Sequence, residues 1–72
     1  MDKKVKEYIE DNIEWSKGVQ GGWCGGFTFK SGYRVSIVAC PTMKMREAKS
    51  YIKENLPEMI AEVAEERNLT IM

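Results

Sequence analysis

Apolar residues recur every three or four positions in two stretches of the chain, and at every second position in the segment between them. In residues 2–16 the apolar side chains fall in one stripe at about 100° per residue, which predicts an amphipathic helix. The stripe consists of Val5, Tyr8, Ile9 and Ile13, with Trp15 at its edge. Asp2 is the expected N-cap of this helix, and Gly18 is its expected left-handed stop.

Residues 21–29 and 33–40 alternate in hydrophobicity and predict two antiparallel strands joined by Lys30-Ser31-Gly32. A three-residue loop with glycine last favours a type I turn closed by a bulge, and this turn fixes the register. The register pairs Phe29 with Tyr33, Phe27 with Val35, Gly25 with Ile37 and Trp23 with Ala39. A two-residue loop would scatter the apolar side chains over both faces of the hairpin, so we predict the three-residue loop.

The other face of the predicted hairpin carries small, polar and basic residues, and we expect it to face water or a partner. It consists of Gly22, Cys24, Gly26, Thr28, Lys30, Arg34, Ser36, Val38 and Cys40. Cys24 and Cys40 lie diagonally on this face, which favours two free thiols over a disulfide. On the apolar face, Gly25 is expected to leave room for a helix to cross the sheet.

A second helical pattern covers residues 43–67, with Thr42 as its expected N-cap. Its apolar stripe consists of Met45, Ala48, Ile52, Leu56, Met59 and Val63, with Tyr51 and Ile60 at the edges. Pro57 lies inside the pattern, lacks a backbone donor and clashes with the preceding turn, so we expect a break or a kink there. Residues 69–72 are a candidate short third strand.

We therefore predict a single small α+β domain over residues 1–72. It consists of a helix, an antiparallel β-hairpin and a long C-terminal helix broken or kinked near Pro57, with both helices on the apolar face of the sheet. A chain of 72 residues has a small core, and small cores are often stabilised by self-association. We expect a homodimer.

Several classes of catalytic site are not indicated. The chain contains no histidine, and no serine or threonine lies in a nucleophile-elbow sequence. The glycines of residues 21–26 do not open a helix, as a phosphate-binding loop requires. We predict a protein that is not an enzyme and that holds neither a metal ion nor a cofactor. No apolar run reaches the length of a signal peptide or a membrane span, so we expect a cytoplasmic protein without a membrane partner.

The formal net charge is zero, but the two signs are separated along the chain. Basic residues predominate in residues 21–53, where Glu47 is the only acidic residue. Acidic residues predominate in residues 54–72, where Arg67 is the only basic residue. On a helical wheel of residues 43–67, the two signs line opposite sides of the apolar stripe.

Two charged surfaces and one aromatic residue form the predicted binding site. The basic set is Lys30, Arg34, Arg46, Lys49 and Lys53, and the acidic edge is Glu54, Glu58, Glu62 and Glu65, with Glu47 on the same side. Trp15 is added because it lies at the edge of a helical stripe, where a partner could bury it. These features favour a non-enzymatic protein-binding regulator or inhibitor that acts through the charged edges of its C-terminal helix. Proteins of this size are often carried by phages or mobile elements, which is a base rate and not a signal in the sequence.

Nucleic-acid binding is the alternative function, because the basic set is able to contact phosphates. Met45-Arg46-Glu47-Ala48-Lys49 resembles the basic start of the last helix in double-stranded RNA-binding domains, which also place strands between two helices. Met45 stands where those domains have a lysine, and two predicted strands stand where they have three. The resemblance implies a nucleic-acid partner.

A second alternative is thiol-dependent redox chemistry at Cys40, because a thiol just before a helix N-terminus has a lowered pKa. Cys40-Pro41-Thr42 is similar to the stretch around the reactive cysteine of peroxiredoxins, although the proline and threonine that precede it in that motif are absent here. The similarity implies a reactive thiol.

Overall fold

The structure, a computed structural model, describes residues 2–72, and Met1 lies outside the described residues. The elements are α1 (Lys3–Asp11), β1 (Glu14–Lys17), β2 (Trp23–Thr28), β3 (Arg34–Val38) and α2 (Met45–Arg67). The strands form one antiparallel sheet in the order β1-β2-β3, so β2 is central and the other two strands are its edges. The predicted α+β class is confirmed.

The hairpin of β2 and β3 has the predicted register, in which Phe27 pairs with Val35 and Gly25 with Ile37. The Gly32 N–H donates to the Phe29 carbonyl (2.9 Å) and closes the turn between the strands. Gly32 has a φ of 97°, a conformation that strains any residue with a side chain. Glycine at the third loop position therefore selects this turn and, through it, the register.

The first helix ends earlier than predicted, at Asp11. Asp2 caps its start as predicted, because its carboxylate accepts a hydrogen bond from the Lys4 N–H (2.8 Å). At the other end, the Asn12 side chain donates to the Tyr8 carbonyl (2.8 Å) and satisfies a carbonyl of the last turn. Asp and Asn are poor residues for a helix interior, and here they terminate the helix.

The residues after α1 form β1, which is the third strand of the sheet. Ile13 is buried and Trp15 is half-buried, whereas Glu14 and Ser16 are exposed, as the two-residue period of a strand requires. Gly18 therefore follows a strand and does not terminate a helix. The prediction was wrong because Ile13 and Trp15 fit a helical stripe and an alternating strand equally well.

α2 is a single helix that continues across Pro57, so of the predicted break or kink the break does not occur, and the kink stays a prediction. Its 23 residues span about 34 Å, close to the longest dimension of the molecule, 35 Å. The predicted N-cap Thr42 is also wrong, since Lys44 takes that position without a side-chain hydrogen bond. Asn68 ends the helix in the left-handed conformation, and residues 69–72, the candidate third strand, form no strand.

The helices cover one face of the sheet. α2 lies against β2 and β3, and α1 lies beside α2 and reaches the sheet through Tyr8, whose ring is edge-on to Phe27. The buried apolar core consists of Ile9, Ile13, Phe27, Phe29, Val35, Ala39, Ala48, Ile52, Leu56 and Ile60. Gly25 lies directly beneath Ile52, because a Cβ at Gly25 would be 2.5 Å from Ile52 Cγ2. The prediction that Gly25 makes room for a helix is confirmed.

Candidate functional site

The acidic edge lies along an exposed side of α2. Glu54, Glu58, Glu62 and Glu65 are all exposed, and their spacing of three or four residues places them on one side of the helix. Within residues 2–72 the single ion pair joins Arg34 Nε to Glu14 Oε1 (3.6 Å). The carboxylates of the acidic edge are therefore unpaired in this part of the chain, and they give α2 a strongly negative side.

The basic set does not form one patch. Arg34 lies on the sheet face that the helices leave open, where its guanidinium covers Gly26 and reaches Glu14 on β1. Arg67 in the last turn of α2 lies over the Tyr33 ring at 4.3 Å, so the C-terminal end of α2 meets the β2–β3 turn. Lys30 in that turn is thus separated from the basic residues in the N-terminal half of α2, which are Arg46, Lys49 and Lys53.

Lys49 lies over two tryptophans. Its Nζ is 5.4 Å from the Trp15 ring centroid and 5.6 Å from the Trp23 ring centroid, while Lys17 Nζ is 6.0 Å from the Trp23 ring. Both rings are half-buried, and the cation–π attraction holds the Lys49 ammonium between α2 and the sheet. We call Lys17, Lys49, Trp15 and Trp23 the lysine–tryptophan cluster.

Trp15 does not have the position that the sequence analysis expected for a partner-binding residue. It belongs to β1 and not to a helix, and it faces α2. Lys49 already covers part of its ring. Trp15 therefore connects α2 to an edge of the sheet and leaves only a half-exposed surface for a partner.

The outer edge of β3 is a surface that the sequence analysis missed. The phase of the β2–β3 ladder is set by hydrogen bonds at its two ends, from the Phe29 N–H to the Tyr33 carbonyl and from the Ala39 N–H to the Trp23 carbonyl, both 2.8 Å. Bonded and non-bonded pairs alternate along an antiparallel ladder. The backbone N–H and C=O groups that point away from β2 are therefore those of Arg34, Ser36 and Val38.

Exposed apolar side chains accompany this edge. Val38 on β3 is 62% exposed, and Tyr51 and Met59 on α2 are 40% and 36% exposed. Ile52 and Ile60 are both buried but eight residues apart, so the buried stripe winds slowly around α2. Tyr51 and Met59 lie on one side of this stripe, and Lys49 of the lysine–tryptophan cluster lies on the other. The sequence shows both residues as apolar, but their exposure depends on how α2 crosses the sheet.

Cys40 is exposed and Cys24 is half-buried, and both are free thiols. Cys40 Sγ lies 3.0 Å from Thr42 Oγ1. Hydrogen bonding by the Thr42 side chain, and next by its backbone, lowers the pKa of the Cys40 thiol from its ordinary value, against a small opposing effect of desolvation. The expected cause, a helix beginning directly after Cys40, is wrong because α2 begins at Met45.

Residues 2–72 form no pocket, and nowhere do three or more of their acidic or cysteine side chains come together as metal ligands would. Neither helix in the described part of the chain is long and apolar enough to cross a membrane. No family model, curated protein or solved structure matches the chain. The surfaces that support a function are therefore the acidic edge, the lysine–tryptophan cluster and the edge of β3.

Proposed function

We propose that this protein is a non-enzymatic regulator or inhibitor that binds another protein, and that the acidic edge of α2 contacts a basic surface of its partner. The observation that carries the proposal is that the residues of the acidic edge are all exposed and are unpaired within residues 2–72. Unpaired charges of one sign on one side of a rigid helix attract an oppositely charged surface and fix its orientation.

Apolar side chains next to the acidic edge support a protein partner over a small ion or a polar solute. Tyr51 is exposed about one turn before Glu54, and Met59 is exposed between Glu58 and Glu62. Protein interfaces combine aromatic residues and methionine at the centre with charged residues at the rim. The acidic edge and its apolar neighbours have this composition.

Nucleic-acid binding is the second candidate, and the lysine–tryptophan cluster is the observation that favours it. Arg46 and Lys53 are exposed about one turn before and after Lys49, beside the half-exposed rings of Trp15 and Trp23. Basic side chains next to aromatic rings suit a strand whose phosphates and bases are both contacted. The structure also has three strands between its helices, the number found in double-stranded RNA-binding domains, where two were predicted.

Two members of the basic set weaken this second candidate. Arg34 is paired with Glu14 on the open face of the sheet, and Lys30 lies in the β2–β3 turn at the far end of α2. The number of cations on one surface sets the strength of phosphate binding. A divided basic set therefore supports weaker binding than the single patch that the sequence predicted.

Affinity capture with three forms of the full chain tests the proposal. The forms are the wild type, an acidic-edge variant (Glu54→Lys, Glu58→Lys and Glu62→Lys) and a basic-side control (Arg46→Glu and Lys53→Glu), used with nuclease-treated lysate of the native host. All substitutions are at exposed positions of α2. We expect a protein partner to bind the wild type and the control and to be lost with the acidic-edge variant. A partner that binds all three forms equally would contradict the role of the acidic edge.

A titration with labelled RNA and DNA tests the second candidate. Fluorescence anisotropy is measured with single- and double-stranded probes at about 50 mM and about 200 mM salt. Binding that weakens with salt and is lost in the basic-side control, but not in the acidic-edge variant, would establish nucleic-acid binding. Absence of binding at the lower salt concentration would eliminate it.

A further inference from the structure

The two edges of the sheet are protected to different degrees. Natural edge strands carry charged side chains, proline or bulges that prevent pairing with other chains. β1 begins with Glu14 and ends with Lys17, so both of its ends are charged. β3 contains neither proline nor lysine, and its charged residue, Arg34, is directed across the sheet towards Glu14. The edge of β3 is therefore open to a further strand.

We infer that two copies of this chain pair antiparallel through β3, so that their sheets join into one continuous sheet. The inference goes beyond the partner proposed for the acidic edge, because it rests on the outer edge of β3. It also covers Tyr51 and Met59, the apolar neighbours of the acidic edge, with a second copy of the chain. A twofold axis through Ser36 pairs Ser36 with its own copy and Arg34 with Val38 of the other copy. This register gives a partner to the backbone groups of all three outward-facing residues of β3.

The charges of β3 are compatible with pairing to β3 of a second copy. In the register centred on Ser36, each Arg34 stands opposite a valine, so no like charges face each other across the new pair. Arg34 also keeps its contact with Glu14 of its own chain, because that contact crosses β2 and not the outer edge. No side chain of β3 has to become buried as an unpaired charge.

The spacing of the helices in such a dimer is that of packed helices. α2 lies against both β2 and β3, and neighbouring strands are about 4.8 Å apart. Pairing at the β3 edge therefore places the two α2 helices about 10 Å apart, within the range of ordinary helix packing. The contact between the sheets and the contact between the helices can form together.

The side of α2 that faces its copy has the side chains that such a contact needs. Tyr51 and Met59 are exposed on this side and would be covered by the second helix. The twofold axis makes the two helices antiparallel, and antiparallel helix dipoles favour this arrangement.

Sedimentation equilibrium of the full chain tests the inference, with circular dichroism to verify folding. Ser36→Pro removes an N–H that points away from β2, so it blocks pairing with a second copy and leaves the internal ladder intact. Its matched control is Lys17→Pro on β1. On β1 the Gly18 N–H donates to the Gly22 carbonyl, and bonded and non-bonded pairs alternate along the β1–β2 ladder. The N–H of the preceding residue, Lys17, therefore points away from β2.

A third variant, Tyr51→Lys with Met59→Lys, acts on the contact between the two α2 helices and leaves both strands unchanged.

We expect the wild type and Lys17→Pro to be dimers. In both Ser36→Pro and the α2 variant, we expect the dimer dissociation constant to rise by about tenfold or more. A wild type that is monomeric at all accessible concentrations would overturn the inference. A folded Ser36→Pro that dimerises as strongly as the wild type would also overturn it, as would equal weakening by Lys17→Pro. If Ser36→Pro does not fold, the α2 variant decides, and an unchanged dissociation constant in that variant overturns the inference.

Discussion

The two faces of the sheet are made of alternate residues of the same strands, but they differ in how tightly each residue is held. On the face towards the helices, Phe27 is 2% exposed, and its ring packs edge-on against those of Tyr8 and Phe29. On the open face, the neighbouring Thr28 is exposed, and its hydroxyl donates to Glu14 Oε1 (2.8 Å). Stability is therefore concentrated on the first face, and the second face is free to vary or to bind.

Truncation of Phe27 gives the largest expected effect. Phe27→Ala removes a buried ring between two aromatic neighbours, and such changes cost about 3–5 kcal/mol, comparable to the total stability of many small domains. The matched change on the open face, Thr28→Ala, removes an exposed hydroxyl and should cost about 1 kcal/mol or less. Thermal unfolding followed by circular dichroism compares the two. Similar melting temperatures would show that the helix-facing side does not dominate stability.

Adjacent glycines of β2 give the next largest contrast. A Cβ at Gly25 would be 2.5 Å from buried Ile52 Cγ2 and 3.1 Å from Ile13 Cγ2, whereas a Cβ at Gly26 would meet the flexible end of Arg34. Gly25→Ala should therefore destabilise by about 1–3 kcal/mol, because the packed core must shift. Gly26→Ala should be close to neutral, because the guanidinium can move aside. Urea unfolding measures both, and equal costs would contradict the close approach of α2 to Gly25.

The helix-facing side of β2 and β3 was predictable because several local signals agree there. The turn glycine Gly32, the alternation of apolar residues and the place of Gly25 beneath a helix all indicate the observed register. β1 was not predictable in the same way. Ile13 and Trp15 satisfy both the helical and the strand period, and only the Asp-Asn pair at the end of α1 argues against the helix.

The candidate surfaces were predictable only in part. The spacing of Glu54, Glu58 and Glu62 places them on one side of any helix, so the acidic edge follows from sequence. The separation of Arg34 from Lys49 also follows from the predicted hairpin, which places Arg34 on the face away from the helices. Grouping the two in one basic set was therefore wrong, and the structure puts them on opposite faces. The open edge of β3 was not singled out, because both strands of the predicted hairpin have an open edge. β1 covers the edge of β2 and leaves that of β3.

The two thiols should differ in reactivity as the two faces of the sheet differ in stability. Because hydrogen bonding with Thr42 lowers the pKa of Cys40, a larger fraction of this thiol is ionised at neutral pH than in an unperturbed cysteine. Thr42→Val should raise the pKa of Cys40 and slow its alkylation several-fold near neutral pH, shifting the rate profile to higher pH. Alkylation kinetics in a Cys24→Ser background measure the effect, and Cys24 in a Cys40→Ser background is the control. An unchanged profile in Thr42→Val would exclude the Thr42 hydroxyl as the cause.

The smallest expected effect concerns the ion pair on the open face. Arg34 Nε and Glu14 Oε1 are 3.6 Å apart, and both side chains are about half exposed, at 48% and 57%. Water and salt screen such a pair, so a double-mutant cycle with Arg34→Ala and Glu14→Gln should give a coupling of about 0.5 kcal/mol or less that decreases with salt. A coupling above about 1 kcal/mol that does not decrease with salt would contradict an exposed pair on the open face of the sheet.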